Sequence, residues 1–177
     1  MRTITLLFIL FFYQIPEGVA QVKQTIEPEY IRTIELKGSS SQSTLPVIEL
    51  GQKLQLSFDD IIGNEADYFY TIEHFNFDWT PSDLSKGEYL DGFDDVRIET
   101  YENSFNTLQL YSNYKLSIPN RETRAIKKSG NYLLRIFNDD SEIVFSRKFM
   151  VLERLLSVAV EIKRARKIKN IDQQQVV

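Results

Sequence analysis

Apolar and polar residues alternate with a period of two through most of the chain between residues 31 and 152, the spacing of half-buried strands. The clearest run is Tyr68 to Phe75. Tyr68, Tyr70, Ile72 and His74 fall on one face and Phe69, Thr71, Glu73 and Phe75 on the other. Aromatic side chains on both faces predict a central strand. Ile31 to Leu36 predicts an edge strand whose alternation is interrupted at Arg32 and Thr33. Val47 to Leu50 and Leu54 to Phe58, divided by Gly51 and Gln52, predict a strand pair or one strand with a bend. Further strands are predicted at Val96 to Tyr101, Tyr111 to Ile118 and Tyr132 to Phe137. The last pairs with Ile143 to Leu152 across Asn138-Asp139-Asp140-Ser141, a turn rich in Asn and Asp.

One segment carries helix signals. In Trp79 to Gly87, Thr80 stands as N-cap, Pro81 at the first helical position, Asp83 near the positive end of the dipole and Gly87 as terminator, which predicts a single turn. Before residue 153 no longer window holds a 3.6-residue apolar period. The simplest architecture is therefore all-β, an antiparallel β-sandwich of seven or eight short strands around one core.

The two ends read differently. Met1 and Arg2, the apolar run Ile4 to Phe12 and the small-x-small tripeptide Gly18-Val19-Ala20 have the layout of a secretory signal peptide over residues 1–20. The run is nine residues long, against the roughly twenty of a membrane-spanning helix. Residues 21–30 are polar and contain Pro28, which predicts a linker arm; residues 31–154 are the sandwich. Lys37 to Leu45, with Gly38 and four serines, is a loop. Leu155 to Ile162 alternates again, and Lys163 to Lys169 is basic.

Composition narrows the chemistry. The 177 residues are 42% hydrophobic and 26% charged, as in an ordinary folded domain, and hold no cysteine. That excludes disulfides, Cys-ligated zinc, iron–sulfur clusters and thiol catalysis. Charge is segregated along the chain. Asp59 to Asp95 holds eleven acids and one base, whereas Arg121 to Asn170 holds thirteen bases and six acids. Acidic loops gathered at one end would repel nucleic acid and attract basic partners.

Few motifs carry chemistry. His74 is the only histidine, and in an alternating strand it is expected as a packed, hydrogen-bonded residue. No nucleophile elbow, phosphate loop or dinucleotide fingerprint is present. Asp91-Gly92-Phe93-Asp94-Asp95 sets three carboxylates around a glycine but lacks the spacing of an EF-hand, so a solvated turn is expected rather than a calcium loop. Trp79, the only tryptophan, is expected to close the core at the end of its strand. The loop that follows it is expected to be the contact surface.

The stretch Asp67-Tyr68-Phe69-Tyr70-Thr71-Ile72-Glu73-His74-Phe75-Asn76-Phe77-Asp78-Trp79-Thr80-Pro81-Ser82-Asp83-Leu84, running on through Glu88 to Asp95, resembles the plug protein of the type IX secretion system of Bacteroidota. The likeness continues through Tyr101 to Leu108, Ser129 to Leu134, Val144 to Arg147 and Lys163 to Arg166. It implies an immunoglobulin-like first domain exported to the periplasm. It also implies a protein that caps the periplasmic mouth of the outer-membrane translocon barrel, with no enzymatic activity and no cofactor. Members of that family run longer, so residues 155–177 are expected as the start of a truncated second domain or a tail.

The partner surface expected from these readings is the acidic aromatic loop, with Trp79, Asp83, Tyr89, Asp91, Phe93, Asp94 and Asp95 as contacts to the translocon barrel. No nucleic acid, bound metal or membrane span is expected. The alternatives are a secreted module that binds carbohydrate or calcium through exposed aromatics and the carboxylate loop, and a hydrolase using two carboxylates.

Overall fold

The structure, a computed structural model, describes residues 21–38, 45–156, 161, 163–164 and 175–176. The leader reading of residues 1–20, and most of the tail after Leu156, lie outside the described residues.

Two sheets face each other. The first contains β1 (Ile31–Gly38), β3 (Leu54–Asp60), β8 (Ser112–Ile118) and β7 (Tyr101–Asn103), in the order β1-β3-β8-β7. The second has the order β2-β11-β10-β4-β6, from β2 (Val47–Glu49), β4 (Tyr68–Phe75), β6 (Val96–Arg97), β10 (Gly130–Asn138) and β11 (Ile143–Leu152). A small third ladder pairs β5 (Leu90–Gly92) with β9 (Thr123–Ile126). The fold is an all-β sandwich. Among the described residues it departs from a purely antiparallel one only where β2 runs parallel to β11.

Alternation puts one face of each sheet into a shared core. Leu56 and Phe58 pair with Leu116 and Tyr114 in the first sheet, and Ile72 and Tyr70 pair with Leu134 and Ile136 in the second. All eight are buried. Phe58 stacks on Tyr114 with centroids 5.2 Å apart and meets Phe145 of the opposite sheet edge-on, also at 5.2 Å. Offset and edge-to-face aromatic pairs of this kind add about 1 kcal/mol each beyond the area they bury. β4 is flanked by β10 and β6, as its two aromatic faces predict, and the β10–β11 hairpin closes across Asn138 to Ser141. β1 is an edge strand. Its interrupted alternation is a bulge between Arg32 and Glu35, with Thr33 at φ +52°.

Three expectations are corrected. Val47 to Leu50 and Leu54 to Phe58 form neither a pair nor a bent strand, because the turn at Gly51 (φ +87°) sends them to opposite sheets. Val96 to Tyr101 is likewise not one strand. Val96 and Arg97 pair with β4, the chain crosses the core at the buried Ile98, and Tyr101 pairs with β8. The helical turn α1 spans Lys86–Tyr89 rather than following Pro81. Ser85 is its N-cap, and Glu88 reaches back to accept the Ser85 N–H at 2.7 Å, a capping box that prevails over the proline signal. Thr80 is instead held in a turn by Asp78, and Pro81 bridges to Phe75.

Residues 21–30, the arm, are bonded to the second sheet. The Val22 N–H donates to the Trp79 carbonyl at 3.1 Å, Thr25 and Ser146 exchange two hydrogen bonds, and Glu27 pairs with Arg147 at 2.8 Å. β2 covers only Met150 to Leu152 of β11. The arm satisfies the edge N–H of Ser146 beyond that point, so backbone groups of β11 are paired along more of its length. Leu133 points away from the core, between the core residues Tyr132 and Leu134, yet is completely buried on the face that carries the arm and the Trp79 turn.

Candidate functional site

The acidic aromatic segment does not project from the sandwich as a free loop. It runs back along the edge of β4, fastened at several points. The Asp94 side chain is only 3% exposed; one oxygen accepts the backbone N–H of Ile72 at 2.8 Å and the other the Lys86 ammonium at 2.6 Å. Burial pulls the Lys86 ammonium toward neutrality, but the hydrogen bond and charge of Asp94 outweigh it and leave the group above its ordinary value. The next residue donates its own N–H to the Tyr70 carbonyl at 2.7 Å, and Asp95 sits at φ +66°. Asp91 pairs with Arg124 of β9 at 2.8 Å.

Gly92 makes the crossing onto β9 possible. At φ +99° it lies so close to the Glu122 carbonyl that a Cβ would come within 2.0 Å of that oxygen. Behind it Thr123, fully buried, donates to the Phe93 carbonyl and lies 2.8 Å from the Tyr70 hydroxyl, which in turn accepts from Asn120.

Of the residues singled out from the sequence, Asp83, Phe93 and Asp95 are exposed. Phe93 is 72% exposed. Asp95 borders an open groove of about 510 Å³ on the outer face of the second sheet, together with Phe69, Thr71, Lys86, Phe137 and Asp139. Tyr89 is buried, donates to the Ile72 carbonyl at 3.2 Å and packs on His74. Trp79 lies half-buried against Phe75 with the Lys148 ammonium 4.2 Å from its ring centroid, so it covers the outer face of the second sheet rather than the mouth of the core. The segment thus divides into anchors (Tyr89, Asp91, Asp94) and outward groups (Asp83, Phe93, Asp95).

Asp91, Asp94 and Asp95 do not converge. The first two are committed to different cations, and among the described residues no group of three or more His, Asp or Glu gathers around one point. His74 is packed between Tyr89 and Tyr132, at 5.6 and 5.0 Å. Its Nε2 backs onto Gly130, where a Cβ would lie 2.4 Å away. The charge segregation of the sequence is partly undone in space: Asp67, Glu73, Asp91 and Asp94 pair with Arg97, Arg135, Arg124 and Lys86. Sequence reasoning missed the anchoring roles of Lys86 and Arg124, which lie 8 and 33 positions from their carboxylate partners. Only the opposite charges themselves signal them.

The family model of the type 9 secretion system plug protein 1st domain matches residues 31–153, from the start of β1 to just beyond β11. This chain belongs to that family. Among solved structures it is similar to the crystal structure of a hypothetical protein from Parabacteroides merdae, with 33% identity and a TM-score of 0.69, over 75% of this chain and 34% of that one. The chain therefore spans about a third of the length of that relative. No curated protein matches it. Among the described residues no helix is long and apolar enough to cross a membrane.

Proposed function

We propose that this domain acts without catalysis in the periplasm, docked against the outer-membrane translocon barrel of the type 9 secretion system, and closes its periplasmic mouth. The observation that carries the reading is the family match across the whole sandwich, residues 31–153. The physical features support it. A domain that obstructs a wide pore works by shape and must resist deformation. This one fastens the connection from β4 to β6 to a strand edge through a buried carboxylate and ties its N-terminal arm across a sheet. The leader reading of residues 1–20 supplies the export route.

The test is affinity purification of the tagged protein from detergent-solubilised outer membranes of its source, with mass spectrometry of co-purifying proteins. The reading expects a very large barrel protein in stoichiometric amount. Recovery of the tagged protein alone from membranes that contain the barrel sinks it.

A further inference from the structure

At the end of the sandwich where β3 finishes and β8 begins, the hairpin joining β7 to β8 carries apolar side chains into solvent. Phe105 is 92% exposed, Leu108 fully and Leu110 58%; Tyr111 and the neighbouring Ile62 are exposed beside them. From Ser104 to Tyr114 the chain contains no charged residue. A cluster of this kind on a soluble domain marks an interaction surface.

The hairpin is built to present these groups. Ser104 donates its N–H to the Tyr111 carbonyl and accepts the Tyr111 N–H on its hydroxyl, both at 2.9 Å. The Thr107 hydroxyl donates to the Gln109 carbonyl at 2.7 Å, and the Gln109 amide donates to the Ile61 carbonyl at 2.8 Å. These bonds are made within the hairpin and against the β3–β4 connection, and the apolar side chains are left pointing outward. At its base Glu65 accepts from the Tyr101 hydroxyl at 3.0 Å and from the Asn103 amide at 2.5 Å, and Glu102 and Asp59 stand close by in the same sheet. Lys115 pairs with Glu102 and Arg32 stands opposite Asp59 in register, which leaves Glu65 bonded to neutral donors alone. The tip is apolar and its collar is acidic.

We propose that the hairpin tip 104–111 is the docking surface of the domain, and that it seats in an apolar pocket edged by Lys and Arg side chains on a partner protein. The acidic collar selects for such a rim and against an anionic lipid surface, which it would repel. That the partner is the translocon barrel rests on the functional reading above; the chemistry of the pocket does not.

The test places the photo-crosslinker p-benzoylphenylalanine at Leu108 of the full chain in its source bacterium, with exposed Lys53 at the far end of β3 as the control position. Co-purification of the double variant Phe105→Ser, Leu108→Ser is measured alongside. The proposal expects Leu108 adducts in an apolar segment of the barrel flanked by Lys or Arg, and at least about a tenfold loss of co-purifying barrel at an unchanged melting temperature. Adducts of that chemistry in a different protein support the docking surface and remove the barrel from the functional reading. Adducts to lipid or to a second copy, no adduct above the Lys53 level, or full co-purification of the double variant each overturn the docking surface. In those cases the wild-type co-purification still judges the functional reading.

Discussion

The Asp94 carboxylate accepts the backbone N–H of Ile72 at 2.8 Å, so the acidic segment is bonded to the strand beside it through a side chain that is almost wholly buried. Ile72 is itself fully buried in the core. Removing the acceptor leaves its N–H without a partner. Asp94→Ala is expected to cost about 2 kcal/mol of unfolding free energy. Asp94→Asn keeps an acceptor oxygen and loses mainly the half-exposed ion pair with Lys86, so it should cost less than half as much. Chemical denaturation of the two variants checks the order, and equal losses would assign the stabilisation to the ion pair instead.

Trp79 holds φ +64°, a conformation that penalises every side chain with a Cβ. Trp79→Ala and Trp79→Gly lose the same ring contacts with Phe75 and Lys148. The glycine variant should therefore unfold at higher denaturant than the alanine variant, by about 1 kcal/mol. Because the ring is half-buried, the loss for alanine should fall below the range of about 3 to 5 kcal/mol seen for a fully buried tryptophan.

The arm should come loose in acid. The hydrogen bond from the Arg147 guanidinium, and after it a backbone hydrogen bond, hold the Glu27 carboxyl below its ordinary value of 4.5 against the opposing effect of burial. A depressed carboxyl contributes its full stabilisation above the ordinary value and loses it as pH falls through the folded one. Hydrogen exchange at Val22 and Thr25 should accelerate as pH drops below about 4.5, after correction for intrinsic rates, and Glu27→Gln should be open already at neutral pH. Protection in Glu27→Gln equal to wild type would show that the backbone bonds alone hold the arm.

Asp60 is fully buried and accepts from the Tyr68 hydroxyl at 2.8 Å and the Ile62 N–H at 2.9 Å. Tyr68→Phe leaves one carboxylate oxygen without its donor and should cost about 2 kcal/mol. Burial, then the hydrogen bond and charge of Asp60, push the Tyr68 hydroxyl well above its ordinary value of 10.0, and burial raises Tyr114 and Tyr132 as well. These groups contribute fully below pH 10, and their contribution falls as the unfolded chain ionises above it. A melting temperature that declines from pH 10 upward, less steeply in Tyr68→Phe, checks the assignment.

The sandwich was legible where pairing is local. β4 and the β10–β11 hairpin announce themselves by alternation and by an Asn/Asp turn, and the bulge of β1 by its broken alternation. Which sheet a strand joins is not written in its own residues. Val47 to Glu49 and Leu54 to Asp60 alternate equally well on opposite sides of the core, and Val96 and Tyr101 are parted by a crossing at Ile98 that looks like strand. Asp91-Gly92 carries turn residues but pairs with Thr123 to Ile126, a partner some thirty positions away. The arm was opaque for the same reason, since Thr25 meets Ser146 across 121 positions of chain. Within the candidate site the concentration of acids was visible, but the direction of each carboxylate depends on distant cations, so anchors and outward groups could be separated only in three dimensions.

The proposal that this domain closes the translocon is tested most directly by the conductance of the purified barrel in a planar bilayer, with the protein added to the side of the periplasmic mouth. The account predicts a large, saturable fall in open-pore current from that side and none from the other. Current unchanged at protein concentrations that saturate binding to the barrel would contradict it.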